Sequence, residues 1–443
     1  MRVYLESLGC RLNYAEMAAL GRKLAAAGHH LAESAAEADV CVVNSCAVTG
    51  EAARQSRQLA RQLARANPAA KLVVTGCYAT LEGEAVAALP NVELVVGNTH
   101  KEDLLALLEG QMAGSPPDGP PATFDLQPVI ALQNGRTRAF VKAQDGCRNH
   151  CTFCIVTVAR GEERSRPPHE VVAEVNALHR EGYQEAVITG VHLGGYGADL
   201  GSSLRELVSA LLAGTRIPRL RLSSLEPFDL AADFFELWQL APDRLMPHLH
   251  LPAQSGSDAI LRRMARRNRT AGFEALVEAA RARIPGLTVT TDLIVGFPGE
   301  TEAHFAETVA FARRNRFAHM HIFSYSARAG TAAARFAGQV PAEERRRRAR
   351  ILHELDAELG RDVRAGFVGQ VRPVLWEQPA DAPAAAGAVT WAGLTDNYLR
   401  VLAAAPAGAD LHNRITATRL VGLQGDALAG EPVWTSHLEE QDT

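Results

Sequence analysis

The chain has no long apolar run free of charges, and no amino-terminal stretch reads as a signal peptide. Neither a membrane span nor secretion is expected, and cytoplasmic residence follows. Its seven cysteines are an odd number in 443 residues, which argues against a disulfide framework and for metal or redox chemistry. The formal net charge of −4 carries no overall basic signature. DNA is therefore not an expected partner, and contact with RNA has to come from local patches. No internal repeat appears at solenoid periods. What remains is ordinary for soluble globular proteins: 47% apolar and 22% charged residues, in a chain long enough for two or three domains with separate cores.

No fourth cysteine lies near Cys147, Cys151 and Cys154, which are spaced Cys-x3-Cys-x2-Cys within Gln144-Asp-Gly-Cys-Arg-Asn-His-Cys-Thr-Phe-Cys-Ile155. Three thiolates on one loop hold three irons of a cubane cluster and leave the fourth iron open to a small molecule. This resembles the signature of radical S-adenosylmethionine (SAM) enzymes. A zinc site would need a fourth ligand, from His150 or a distant thiol.

From Met1 to about residue 112, short apolar runs (Val3–Leu8, Val40–Val43, Leu72–Thr75, Val92–Val96) alternate with helical stretches (Ala15–Ala27, Glu51–Ala66). This alternation predicts a Rossmann-like α/β domain with a parallel sheet. Cys10, Cys46 and Cys77 each follow a strand end, and such ends share one edge of a parallel sheet, where they converge. Cys41, inside its strand, reads as core. Residues 113–136 are rich in Pro and Gly and read as a linker. From 137 to 364, six strand candidates (Ala139–Ala143, Glu185–Thr189, Arg219–Ser223, His248–Leu251, Thr288–Val295, His319–Tyr325) separated by helices predict a partial TIM-type (β/α)6 barrel. From 365 to 443, Val371–Trp376, Tyr398–Leu402 and Ile415–Leu420 predict a small β-barrel.

Several motifs in order resemble the radical-SAM methylthiotransferase family over nearly the whole length. They are Leu8-Gly-Cys-Arg-Leu-Asn13, Val43-Asn-Ser-Cys-Ala-Val-Thr-Gly-Glu-Ala52, Thr75-Gly-Cys-Tyr78, Gln144-Asp-Gly-Cys147, Leu249-His-Leu-Pro-Ala-Gln-Ser-Gly-Ser257 and Asp292-Leu-Ile-Val-Gly-Phe-Pro-Gly-Glu-Thr301. The resemblance implies an amino-terminal cluster domain, a radical-SAM barrel and a carboxyl-terminal TRAM β-barrel. Asn44–Ala52 and Gly393-Leu-Thr-Asp-Asn-Tyr398 are most similar to the MtaB-type branch, which converts N6-threonylcarbamoyladenosine to its 2-methylthio form at position 37 of tRNA. Sibling branches act on isopentenyladenosine or on a ribosomal-protein aspartate. A non-catalytic iron–sulfur or zinc protein that binds RNA is the alternative of another class.

The resemblance implies two 4Fe-4S clusters, one on Cys147, Cys151 and Cys154 and an auxiliary one on Cys10, Cys46 and Cys77. It also implies SAM as cofactor, tRNA as substrate and an electron donor such as a flavodoxin or ferredoxin. The segment Gly190, Val191, His192 is similar to one whose backbone contacts the methionyl amine of SAM. Ser223, Ser224 and Glu226 are candidates for its ribose or carboxylate. Gln254 and Ser255, with the turn containing Gly296, Gly299 and Glu300, match further cofactor-lining segments. For all of these the plainer reading is strand-end capping or turn formation.

For RNA, Arg54, Arg57, Arg61 and Arg65 recur on one face of the helix after Cys46. The alternative is a solvated helix face. Arg262–Arg269 and Arg345–Arg348 form two further basic runs. The TRAM-like segment departs from an RNA-binding module: Arg372, Arg400, Arg414 and Arg419 are its only Lys/Arg residues, against more than twice as many carboxylates. Uniform phosphate binding by it is not expected.

Overall fold

The computed structural model describes residues 1–112, 137–382 and 387–433. The expected linker, 113–136, lies outside the described residues.

Strands β1 (Arg2–Ser7), β2 (His30–Leu31), β3 (Val40–Ser45), β4 (Lys71–Gly76) and β5 (Val92–Val96) form one parallel sheet in the order β2-β1-β3-β4-β5. Val40, Val42 and Val73 pack on one face with Leu20 and Leu24, and Cys41, Val43 and Leu72 on the other with Ala60 and Leu63. Burial on both faces is why these strands read as unbroken apolar runs. The helices are α1 (Arg11–Ala26), α2 (Gly50–Ala66), α3 (Cys77–Leu81), α4 (Gly83–Ala87) and α5 (Leu104–Met112). Thr49 caps α2 by accepting from the Ala52 N–H.

The middle region adds β6 (Arg138–Lys142), the short pair β7 (Gln144–Asp145) and β8 (Arg164–Ser165), then β9 (Glu185–Thr189), β10 (Arg219–Leu222), β11 (His248–His250), β12 (Thr288–Val295) and β13 (His319–Ser324). The sheets β6-β9-β10 and β11-β12-β13 are parallel, and bridges Leu220–Leu245 and Ser224–His250 join them into the expected six-stranded open barrel. Its outward side chains, such as Ile188, Leu220, Leu249 and Val289, make the main core with the surrounding helices. Its inward side chains are polar: Glu185, Arg221, His248, Thr290 and Asp292. Helix α1 packs along β6, so the amino-terminal domain covers one open edge of the barrel.

The last region corrects the expected three strands. A closed barrel runs β14 (Val371–Pro379), β15 (Ala388–Thr395), β16 (Arg400–Pro406), β17 (Ile415–Gln424) and β18 (Ala427–Pro432), in the order β14-β15-β16-β18-β17. Strand β18 lacks the β-branched density that marks a strand in sequence, and β15 carries Val389, Thr390 and Thr395 but is interrupted by Ala392 and Gly393. They form because Gly393 and Gly430 admit close packing: a Cβ at either would stand 2.6–2.7 Å from Val374 or Val401 side chains. Tyr398, expected to open a strand, instead sits in a left-handed turn at φ 72°. Thr395 and Asn397 hold that turn, with Leu399 N donating to Thr395 Oγ1 at 2.8 Å.

Candidate active site

Cys10 caps the start of α1, Cys46 follows β3, and Cys77 opens α3 just after Gly76. The sheet edge brings them together. A Cβ on Gly9 would lie 2.7 Å from the Cys46 Sγ, so the turn before Cys10 touches Cys46 directly. The three thiols are close enough that charge on one raises the pKa of another. Asn98 Nδ2 donates to Cys77 Sγ at 3.7 Å. Cys41 is buried in the sheet core, away from this edge.

The second triad lies on the loop after β7. Backbone N–H groups of Asn149 and Val156 donate to Cys147 Sγ (3.4 Å) and Cys154 Sγ (3.5 Å), and Arg266 Nη1 reaches Cys151 Sγ at 3.8 Å. Phe153 packs edge-on against Phe297 at 6.4 Å, which seats the loop on the turn after β12. Burial pushes the thiols of Cys46 and Cys147 up to about 11 and Cys154 up to about 12, so they are protonated at neutral pH unless a cation displaces the proton.

The donor sets fit a cluster better than a single zinc. A tetrahedral zinc about 2.3 Å from each sulfur would draw the sulfurs to about 3.8 Å from one another. Among the described residues, the sets of three such ligand atoms within 4.8 Å of one another are Cys147–Glu163–His192 and His250–Asp292–His321, so neither cysteine triad is that compact. His150 is exposed at the loop rim.

A buried polar network ties the two triads together. Arg160, on helix α6 (Val156–Arg160), donates to Glu16 (2.9 Å), Asp145 (2.9 Å) and Asn13 (2.7 Å). Lys101 Nζ lies 2.7 Å from Glu16, and Asn44 Nδ2 donates to the same carboxylate at 3.0 Å. Asn13 and Asn44 flank the auxiliary cysteines in sequence, while Asp145 and Arg160 flank the other loop. Burial would raise the Glu16 pKa, but Lys101 and Arg160 outweigh it and hold the carboxyl well below its ordinary range. The sequence reading missed this network because its members are scattered singly along the chain.

Gly190, Val191 and His192 follow β9 as expected, but the His192 side chain is consumed. It is buried with Nδ1 2.5 Å from Glu163 and Nε2 2.5 Å from Asp229. Burial lowers its pKa, but the two carboxylates prevail and raise it, favouring an imidazolium clamped between them. Gly190 is needed because a Cβ would meet Gln144 Oε1 at 2.9 Å, the same atom that accepts the His192 N–H at 2.8 Å. Glu226 is held by Arg266 beside Cys151, and Ser223 Oγ is buried with no protein partner among the described residues. Of the two, Glu226 stands beside the cysteine loop through Arg266, and Ser223 keeps an unused hydroxyl. By contrast, Ser255 accepts from the Ser257 N–H, and Gln254 makes a backbone bridge at φ 70°. Gly296 (φ 71°) and Gly299 (φ 85°) take left-handed turns, and the Glu300 carboxylate is spent on the Gly296 N–H (2.6 Å) and on Arg348 (2.6 Å). This turn supports the loop through Phe297.

The arginine runs divide by burial. Arg266 and Arg348 are each 4% exposed and bound to carboxylates, so these members of the two distal runs are internal ties. On α2, Ala53, Ser56, Ala60 and Leu63 are buried and the arginine face is outward. Arg54 pairs with Glu51, and Arg57 donates to the hydroxyl of Tyr78, the residue after Cys77 (3.1 Å). Arg61 and Arg65 have no carboxylate partner among the described residues.

Residues 2–97 match the uncharacterized protein family UPF0004, and residues 141–312 match the radical SAM superfamily. The chain is 36% identical over 409 residues to the threonylcarbamoyladenosine tRNA methylthiotransferase MtaB of Bacillus subtilis, covering 90% of each. It is 37% identical to the Thermotoga maritima protein of the same name, over 85% of this chain and 86% of the relative. A tRNA-2-methylthio-N6-dimethylallyladenosine synthase of Cereibacter sphaeroides is 37% identical, over 86% and 88%. In fold, the chain is similar to the radical SAM methyltransferase TsrM of Kitasatospora setae, solved with cobalamin and a 4Fe-4S cluster bound. The TM-score is 0.53 and the identity 16%, over 75% of this chain and 77% of that one.

Proposed function

Because the chain belongs to this family of radical-SAM tRNA methylthiotransferases, we propose that it converts N6-threonylcarbamoyladenosine at position 37 of tRNA to the 2-methylthio nucleoside. The observation that carries this reading is the approach of two cysteine triads from two domains across one buried network centred on Arg160 and Glu16. Cys147, Cys151 and Cys154 would hold the cluster that supplies reductive cleavage of SAM, and Cys10, Cys46 and Cys77 would hold one that supplies the sulfur to be transferred. The chain's own residues have the remaining work. Arg266 orients Glu226 and steadies Cys151, the His192 clamp fixes the segment after β9, and the amino-terminal domain closes the barrel edge against water. An electron carrier without chemistry would have no use for the polar positions at Ser223 and Glu226. The electron donor in this reading is a small redox protein such as a flavodoxin or ferredoxin, and the setting is the cytoplasm, where tRNA is modified.

Mass spectrometry of tRNA nucleosides from cells with and without the gene tests this. The expected outcome is loss of 2-methylthio-N6-threonylcarbamoyladenosine with its unthiolated precursor accumulating. An unchanged level of that nucleoside would sink the substrate assignment.

In the same reading, the outward face of α2 guides phosphates toward Cys46 and Cys77. The double change Arg57→Ala, Arg61→Ala is expected to weaken binding of an anticodon stem-loop. The slope of log affinity against log salt should shrink by about one for each phosphate that an arginine no longer neutralises. An unaltered slope in a salt titration would leave this helix as a merely solvated face.

A further inference from the structure

The barrel lumen beneath the cysteine loops carries an unbalanced positive charge. Tyr398 projects into it from the carboxyl-terminal barrel. Its hydroxyl accepts from Arg138 (2.7 Å) and from Arg11 (3.2 Å), the residue after Cys10. Its ring stacks on His248 at 4.6 Å, and the Arg221 guanidinium lies 4.7 Å from the ring centre. Three domains therefore meet at one phenol.

The charges there do not cancel. Arg138 is paired with Glu377 (3.0 Å) and Arg221 with Glu185 (2.9 Å), but Arg11 has no carboxylate within 4.0 Å among the described residues. Arg221 Nη1 and His248 Nδ1 are buried without partners among the described residues. Asp292, the nearby acid, is engaged by His250 at 3.2 Å. Burial, and after it the cations Arg221 and Arg11, hold His248 well below its ordinary pKa. His250, Asp292 and His321 have metal-like spacing, yet a dication there would share the lumen with Arg11, whose charge acts on His321, and would be repelled by it. An anion would be drawn in.

The two kinds of relative differ at this point of chemistry. Dimethylallyl is a hydrocarbon group, whereas threonylcarbamoyl ends in a free carboxylate. Identity does not separate them, at 36% and 37%. A half-buried, unpaired guanidinium favours a carboxylate and gains nothing from a hydrocarbon that desolvates it. We propose that Arg11, held in place by Tyr398, pairs with the carboxylate of the N6-threonylcarbamoyl group and is the residue that selects this nucleoside. This rests on the substrate reading above and extends it to a named contact.

The test uses the reconstituted holoenzyme and one anticodon stem-loop RNA in three forms: threonylcarbamoyl acid, its methyl ester and unmodified adenosine. Fluorescence anisotropy gives each affinity. The acid is expected to bind about tenfold more tightly than the ester, a difference of about 1.4 kcal/mol. Arg11→Ala should bring the acid down to the ester's level while the other two RNAs keep their affinities, and Arg11→Lys should retain part of the preference. Iron content of each variant checks that the neighbouring Cys10 still serves its cluster. Equal binding of acid and ester by the unaltered protein would overturn the proposal, as would an equal loss for all three RNAs in Arg11→Ala. If acid and ester are both methylthiolated at one rate, only this subsite fails. If a dimethylallyl stem-loop assayed for turnover alongside them is the sole form methylthiolated, the substrate reading fails with it.

Discussion

Changing Cys77 to serine is expected to abolish methylthio transfer while SAM cleavage continues. Cys77 is the first residue of α3, is 4% exposed and accepts from Asn98 at 3.7 Å, so serine fits the space with little disturbance of the fold. A serine oxygen is a harder, less acidic ligand and does not replace a thiolate on iron. Reconstituted protein should fall from about eight irons per chain to about four, the count for one cubane cluster. With a chemical reductant it should still release 5′-deoxyadenosine from SAM, and the stem-loop RNA should come back unmodified. Cys41→Ser is the control: it sits in the sheet core, so it is expected to lower stability and leave the iron count unchanged. Retained product formation in Cys77→Ser, or equal iron loss in both variants, would refute the two-cluster arrangement.

The second large effect concerns stability. Arg160 is 2% exposed and bridges Glu16, Asp145 and Asn13. Arg160→Ala strands two buried carboxylates, leaving Glu16 to Lys101 and Asp145 to the more distant Lys142 (3.5 Å). Breaking a buried pair by removing one partner costs about 3–5 kcal/mol. For a cooperative unit that spans both domains, about 340 residues, the unfolding midpoint should fall by roughly 4–7 °C. Calorimetry of the iron-free protein measures it without interference from cluster loss. In a Glu16→Gln background the same substitution should cost less, because one of the stranded charges is gone. Additive losses across that double-mutant cycle would show that the two side chains are not coupled.

Local patterns were legible from the chain. The apolar runs Val40–Val43 and Leu72–Thr75 announced buried parallel strands, which the structure extends to Val40–Ser45 and Lys71–Gly76, and the two flanking helices were legible as well. The C-terminal barrel was only partly legible. Half of β18 is Ala and Gly, whose strand preference is weak, and Ala392-Gly393 interrupts β15; both strands exist because neighbours close a barrel around them. Two members of the basic runs are internal for a related reason. Arg266 is answered by Glu226, 40 residues away, and Arg348 by Glu300, 48 residues away, as well as by its near neighbour Glu344.

The chain by itself determined what depends on short spacing: three cysteines on one loop, three more at strand ends, and the periodicity of strands and helices around them. Ligand spacing and periodicity are local quantities, so they survive without knowledge of the fold. Only the tertiary structure decided which charges are buried and by whom they are answered. Arg160 joins two domains, His192 is locked between Glu163 and Asp229, and Arg11, among the described residues, has no carboxylate beside Tyr398. Burial and pairing depend on side chains up to 387 residues apart, and that proximity is created by packing alone.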